Sequence, residues 1–229
     1  MHVCKRPQRM CIDMPRRTKP EAEHTRETVL DAAIQVFLDQ GVARATLEDI
    51  GRVAGTTRGA VYWHFHSKIN LLIAIDERVR LFGEEVLAKV GSYSGPDPLG
   101  ELGRALIAAF EIIESDPHLR PMLTVLLLRC EYTSEMAPMR ERQQRSNEAL
   151  RAELGRISRL AATAGLLAPP WRPETAVTAL RALLAGLIHN WLQDAEFRLA
   201  VDGGDAVRSL MMSMGVSSPS AAARSTSEA

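Results

Sequence analysis

Residues 46–70, TLEDIGRVAGTTRGAVYWHFHSKIN, hold the pattern that decides the fold. Counting Leu47 as the first position, a small residue falls fifth (Gly51), a glycine ninth (Gly55) and a branched apolar residue fifteenth (Val61). Two short helices that cross closely tolerate no bulky side chain at their contact, and the turn between them needs a residue at ease with positive φ. Ile50, Val53, Ala54 and Val61 supply a shared core, and Thr56 and Thr57 stand where a hydroxyl caps the second helix. Arg58, Tyr62 and Trp63 are left at its outward-facing start. The spacing predicts a helix-turn-helix over 46–65, a unit whose second helix enters a major groove of DNA.

At TTRGAVYWHFHSKINLL, and upstream through TRETVLDAAIQVFLDQGVARATLEDIGRVAG, the chain resembles the tetracycline-repressor (TetR) family of one-component regulators. The resemblance is strong over 23–83. It departs at Gly51, where alanine is usual, and at Thr56, where an apolar residue usually packs the turn. Gly51 costs its helix on the order of 1 kcal/mol in propensity. The resemblance implies a homodimer that reads double-stranded operator DNA through two half-sites. In that reading Thr46, Tyr62, His64 and Lys68 mainly contact phosphates, Arg58 reaches a guanine edge, and Thr57, Gly59 and Trp63 support close approach.

Net charge is zero, yet it divides unevenly: residues 1–70 hold eleven Lys/Arg against eight Asp/Glu, leaving +3 there and −3 beyond. The basic excess lies with the helix-turn-helix, as attraction to phosphate requires. With 46% apolar residues the chain has material for a substantial core, and its apolar patterns have helical spacing, so an all-α fold is expected. Lys5, Arg6, Arg9, Arg16, Arg17 and Lys19 precede no apolar run, which argues against a secretory leader. The apolar stretch 176–192 is interrupted by Thr178, Arg181, His189 and Asn190 and is too polar to span a bilayer. A cytoplasmic, nucleoid-associated protein follows. Cys4, Cys11 and Cys130 lack metal-ligand spacing, so no metal or cofactor is expected, and Cys130 reads as a filler thiol rather than an oxidant sensor.

Four segments are expected: a disordered basic stretch 1–22, with Met14 as a candidate natural start; the DNA-binding domain 23–83; a ligand-binding and dimerisation domain 84–215; and a disordered tail 216–229. In the first domain a helix runs over 25–40, with Gly41 as its stop. Ser67 caps a long helix in which Leu72, Ile75, Val79, Phe82 and Val86 recur at spacings of three and four, ended by the Gly/Pro-rich run 91–98. Further helices are read over 99–115, 117–129, 138–165, 174–194 and 201–214. Leu150, Leu154, Ile157 and Leu160 mark the inward stripe of the third of these. The helix 174–194 is apolar on nearly all sides and needs a second subunit to cover it, with Leu187 and Leu210 in the resulting four-helix bundle.

Asp97-Pro98-Leu99-Gly100, the run from Arg129 to Met136, and Gln143-Gln144-Arg145 resemble the branch of the family that sits beside multidrug efflux genes and releases DNA when drugs bind. A cavity is expected between the helices of the second domain, lined by Leu102, Leu106, Ala109, Phe110, Leu123, Leu126, Leu154, Leu184 and Ile188. With only Thr124, His189 and Asn190 as polar anchors, it suits hydrophobic or aromatic effectors. The alternative is a regulator of the same type that needs no effector. An enzyme is disfavoured, since no Ser/His/Asp set, carboxylate pair or phosphate-binding glycine loop is present.

Overall fold

The computed structural model describes residues 19–93, 95–130 and 136–215. The segment before Lys19, the tail from 216, Cys4, Cys11 and the middle of the 129–136 motif lie outside them. Among the described residues the regular structure is helical, apart from an isolated bridge between Leu167 and Gly215. The helices are α1 (Lys19–Arg44), α2 (Leu47–Val53), α3 (Arg58–His64), α4 (Lys68–Gly91), α5 (Pro98–Ser115), α6 (Leu119–Thr124), α7 (Ala137–Thr163), α8 (Pro173–Gln193) and α9 (Gly204–Met214). A π-helical turn, Val125–Arg129, prolongs α6, and another, Leu199–Gly203, leads into α9.

Helix α1 buries Val29, Leu30, Ala33 and Phe37 completely, a stripe at helical spacing. It begins six residues before the expected start, and Gly41 is a kink rather than a stop. With φ at 79°, Gly41 breaks the ladder, after which one further turn buries Val42. A capping box opens α2: the Asp49 N–H donates to Thr46 Oγ1 at 3.1 Å, and the Thr46 N–H donates to Asp49 Oδ2 at 3.3 Å. At α4 the cap is Ser67, whose Oγ accepts from the Asn70 N–H at 3.2 Å.

Two apolar cores share the molecule. The first gathers α1, Ile50, Val61, Phe65 and the Leu71, Leu72 and Ile75 end of α4, and it extends to Leu119, Met122, Val125, Met136 and Met139. The second joins α5, α7, α8 and α9 through Leu102, Phe110, Leu154, Leu180, Trp191, Val207 and Met214. The cap of the DNA-binding head is thus built from residues of the second half of the chain.

Two expectations are corrected. Leu160 lies on the outer side of α7, 46% exposed, because the inward stripe drifts to Ala161. Leu187 is buried within its own subunit. The exposed side of α8 carries Ala182, Ala185, Gly186 and His189.

Gly55 and Gly83 make a matched pair for a stability test. A Cβ at either meets nothing within 4 Å, but Gly55 sits at φ 63° while Gly83 lies inside α4. Gly55→Ala should lower unfolding free energy by about 1–2 kcal/mol through backbone strain alone. Gly83→Ala should raise it by about 0.5–1 kcal/mol. Urea midpoints that moved in the same direction for both would contradict the backbone account.

Candidate nucleic-acid interface and internal cavity

The turn between α2 and α3 is held from inside. Thr56 N–H donates to the Gly51 carbonyl at 2.8 Å, and a Cβ on Gly51 would stand 3.2 Å from the Thr56 carbonyl oxygen. The two helices therefore approach closer than alanine comfortably permits, which accounts for the glycine. Thr57, not Thr56, caps α3, its hydroxyl accepting from the Ala60 N–H at 3.2 Å. Val61 points inward at 0% exposure, Gly59 and Trp63 lie on the side away from it, and Arg58 and Tyr62 are exposed on the flank between. Trp63 is 69% exposed and Tyr62 54%, an unusual amount of bare aromatic surface for a helix this small. Tyr62 packs edge-on against His66, and Trp63 against His64, so both rings are held upright on the exposed surface.

Two side chains change the sequence reading of this region. Lys68, expected at phosphate, aims its Nζ at the carbonyls of Val42 and Ala43, each at 2.8 Å. These carbonyls belong to the turn after the Gly41 kink, and the ammonium ties it to the start of α4. Arg52, absent from the sequence-based set, is 74% exposed and shares a surface groove with Thr46, Asp49 and Arg58. Asp49 holds it at 3.1 Å. The hydrogen bond from Thr46, and then that from Arg52, keeps the Asp49 carboxyl below its usual range. The Thr46 hydroxyl is committed to the same carboxylate at 2.6 Å. A basic residue one turn into the first helix of such a motif is the signal that would have found Arg52.

A cavity of about 380 Å³ lies between α4, α5, α6, α7 and α8. Of the nine residues expected to line it, Leu106, Ala109, Phe110, Leu123, Leu126, Leu184 and Ile188 do so. Leu102 and Leu154 do not: at 2% and 1% exposure they fill the second core. The long helix α4 supplies a further wall. Val79, Phe82, Gly83 and Val86 of α4 face the cavity, with Asp76, Arg80 and Glu84 around them. The polar groups also differ from those expected. Gln143, Ser146 and Asn147 of α7 line the cavity, whereas His189 and Asn190 are exposed on α8, and the Thr124 hydroxyl bonds the Arg120 carbonyl at 2.8 Å. The space is apolar along α5, α6 and α8 and polar along the seam of α4 with α7.

A model of the N-terminal region of bacterial regulatory proteins of the tetR family matches residues 29–75, and one for the C-terminal region of MAATS-type transcriptional repressors matches 97–214. The chain belongs to the TetR family. It is similar to the HTH-type transcriptional repressor BepR of Brucella suis, 36% identical over 87% of this chain and 96% of that one. It is also similar to the solved structure of NalD, the secondary repressor of the MexAB-OprM multidrug efflux pump in Pseudomonas aeruginosa. There the identity is 32% and the TM-score 0.76, over 86% of this chain and 98% of that one. A third likeness is to SmeT in its triclosan complex, at 33% identity and TM-score 0.70, over 85% of this chain and 92% of that one. The protein is a DNA-binding transcriptional regulator and not an enzyme.

Ion pairs tie the regulator's parts together along α4. Arg78 pairs with Glu27, and with Asp31 at 3.5 Å, both on α1. Arg142 of α7 reaches Asp76 at 3.1 Å and Glu77 at 2.8 Å. The Arg80 guanidinium, and after it Arg142, holds the Glu77 carboxyl below its usual range. Cys130 is packed against the first core, and burial pushes its thiol up, away from the thiolate an oxidant sensor needs. No helix among the described residues is long and apolar enough to cross a membrane.

The Lys68 tie predicts a structural phenotype. Lys68→Met removes two hydrogen bonds from a charged donor and should cost about 1–3 kcal/mol of stability. Thermal denaturation should show the loss without any DNA present. An unchanged melting temperature would return Lys68 to a purely DNA-facing role.

Proposed function

We propose that the protein is a homodimeric repressor of a multidrug efflux operon, released from its operator by hydrophobic or aromatic compounds. The observation that carries this reading is the shared helix. One face of α4 belongs to the core of the DNA-binding head, and its continuation is a wall of the apolar cavity. A compound that fills the cavity acts only if it prefers one disposition of α4 over another. A coupling of about 1–3 kcal/mol would loosen operator binding some 5- to 150-fold, and operator would weaken compound binding equally. The efflux assignment is supported by NalD, named as a pump repressor, and the ligand class by the triclosan bound to SmeT.

In this reading the aromatic body lies against Leu106, Phe110 and Ile188, and any polar end lies at Ser146 and Asn147. Arg58 reads a guanine, with Thr57, Gly59 and Trp63 allowing close approach; Thr46, Tyr62, His64 and Arg52 bracket the phosphates, and Lys68 holds the turn behind them. The exposed small residues of α8 together with Met212 of α9, 79% exposed, form the two-fold interface that sets the heads about one DNA turn apart.

The test uses DNA flanking the protein's own gene in anisotropy titrations with and without triclosan. Wild-type protein should bind and be released. Binding that triclosan and other hydrophobic drugs leave unchanged would favour an effector-independent regulator. Ala109→Trp should fill the cavity and abolish release while DNA affinity is kept. Arg58→Ala should cost about 1–3 kcal/mol of operator affinity with unaltered thermal stability. Met212→Glu should yield monomers in light scattering, and a dimer of normal affinity would move the interface elsewhere.

A further inference from the structure

We propose that Arg142 is the fulcrum of α4, the positioning residue that converts a filled cavity into movement of the DNA-binding head. The proposal rests on the reading of the cavity as an effector site. Arg142 projects from α7 and divides its guanidinium between two successive residues of α4, with Nε 3.1 Å from Asp76 Oδ2 and Nη2 2.8 Å from Glu77 Oε2. The pair is largely withdrawn from water, with side-chain exposures of 23% for Arg142 and 17% for Asp76. Glu77 is 44% exposed, so the Asp76 contact is the less screened of the two. The next residue, Arg78, fastens α4 to α1 through Glu27. Three successive residues thus fix α4 to both neighbours at one point along its length.

Beyond that point α4 gives Val79, Phe82, Gly83 and Val86 to the cavity wall, and before it Leu71, Leu72 and Ile75 to the DNA-binding head. Asp76 itself lines the cavity, so an occupant reaches the fulcrum directly. At a rise of about 1.5 Å per residue, Gly83 lies about 10 Å to one side of the fulcrum and Lys68 about 13 Å to the other. A rigid helix pushed outward at Gly83 and held at 76–77 swings inward at Lys68 by a similar distance. Lys68 carries that swing to Val42 and Ala43, next to the capped start of α2. Without the Arg142 pairs, α4 yields at the α7 seam and the push is absorbed there.

The test measures operator affinity of the full-length protein by anisotropy, with and without saturating triclosan, and triclosan affinity by calorimetry. Arg142→Met keeps the length of the stem and removes both pairs. Its operator affinity without triclosan should stay within about twofold of wild type, the recognition face being distant from Arg142, and calorimetry sets the triclosan concentration that saturates the variant, whose Asp76 is left unpaired at the cavity wall. Release by triclosan should collapse from the wild-type factor, roughly 5- to 150-fold, to about twofold or less. Arg142→Lys, able to reach one carboxylate, should restore part of the response. An Arg142→Met protein released as fully as wild type overturns the proposal.

A wild-type protein that binds operator but is unmoved by triclosan and by a second probe, ethidium, refutes the effector reading instead. The fulcrum is then judged without ligand by hydrogen exchange. Residues 76–86 must lose protection in Arg142→Met, in Arg142→Lys to a smaller degree, and unchanged protection there overturns it.

Discussion

Helix α4 is buried against two different cores, and the rest of the molecule is arranged around that shared membership. Leu71, Leu72 and Ile75 are fully buried in the DNA-binding head, and one turn later Val79 and Phe82 face the cavity. No turn or proline interrupts the 24 residues. Over a length of about 36 Å the helix transmits displacement rather than dissipating it. The price of this continuity is a void in the second half of the chain, where interiors otherwise pack at crystal density. Ala109 and Gly83 keep that space open, and only a bound molecule would restore the missing contacts.

What could be read from the sequence was what is local. The helix-turn-helix is set by residues at most fifteen positions apart, and the roles of Gly55, Val61 and Thr57 survive unchanged in three dimensions. The error at Gly41 is instructive. A glycine after an apolar stripe reads as a stop, but Val42 has a place in the core waiting for it, and Lys68, distant in sequence, takes the carbonyls the kink releases. That tie has no local signature, so a lysine at a familiar motif position was read only for its charge.

The cavity shows the limit of periodicity. Leu102 and Leu106 lie one turn apart on the same stripe of α5 and belong to the same core, yet only the second also lines the cavity. A stripe wide enough to bury a helix also spans both environments. Leu154 fails as a lining residue for the same reason, while Ser146 and Asn147, polar positions on α7, face the seam. On α8 the composition was misread in a different way. A helix apolar on most sides was assigned a partner at its large residues, but Leu180, Leu187 and Trp191 satisfy their own subunit. The alanines and Gly186 remain outside, where short side chains let another helix approach closely.

The choice of ion pairs at the centre of α4 follows from what a pivot must do. Interdigitated apolar side chains resist tilting because every degree of rotation opens gaps on one side and clashes on the other. A guanidinium shared between two carboxylates on adjacent residues fixes a helix along its axis yet tolerates rocking about the contact, since charge attraction falls off gently with distance. Its planar fork also engages two acceptors at once, which a lysine cannot do with the same geometry. Apolar packing therefore joins α4 to the DNA-binding head around Leu72 and Ile75, so that the two tilt as one body. Charge holds it at Asp76 and Glu77, where it must turn.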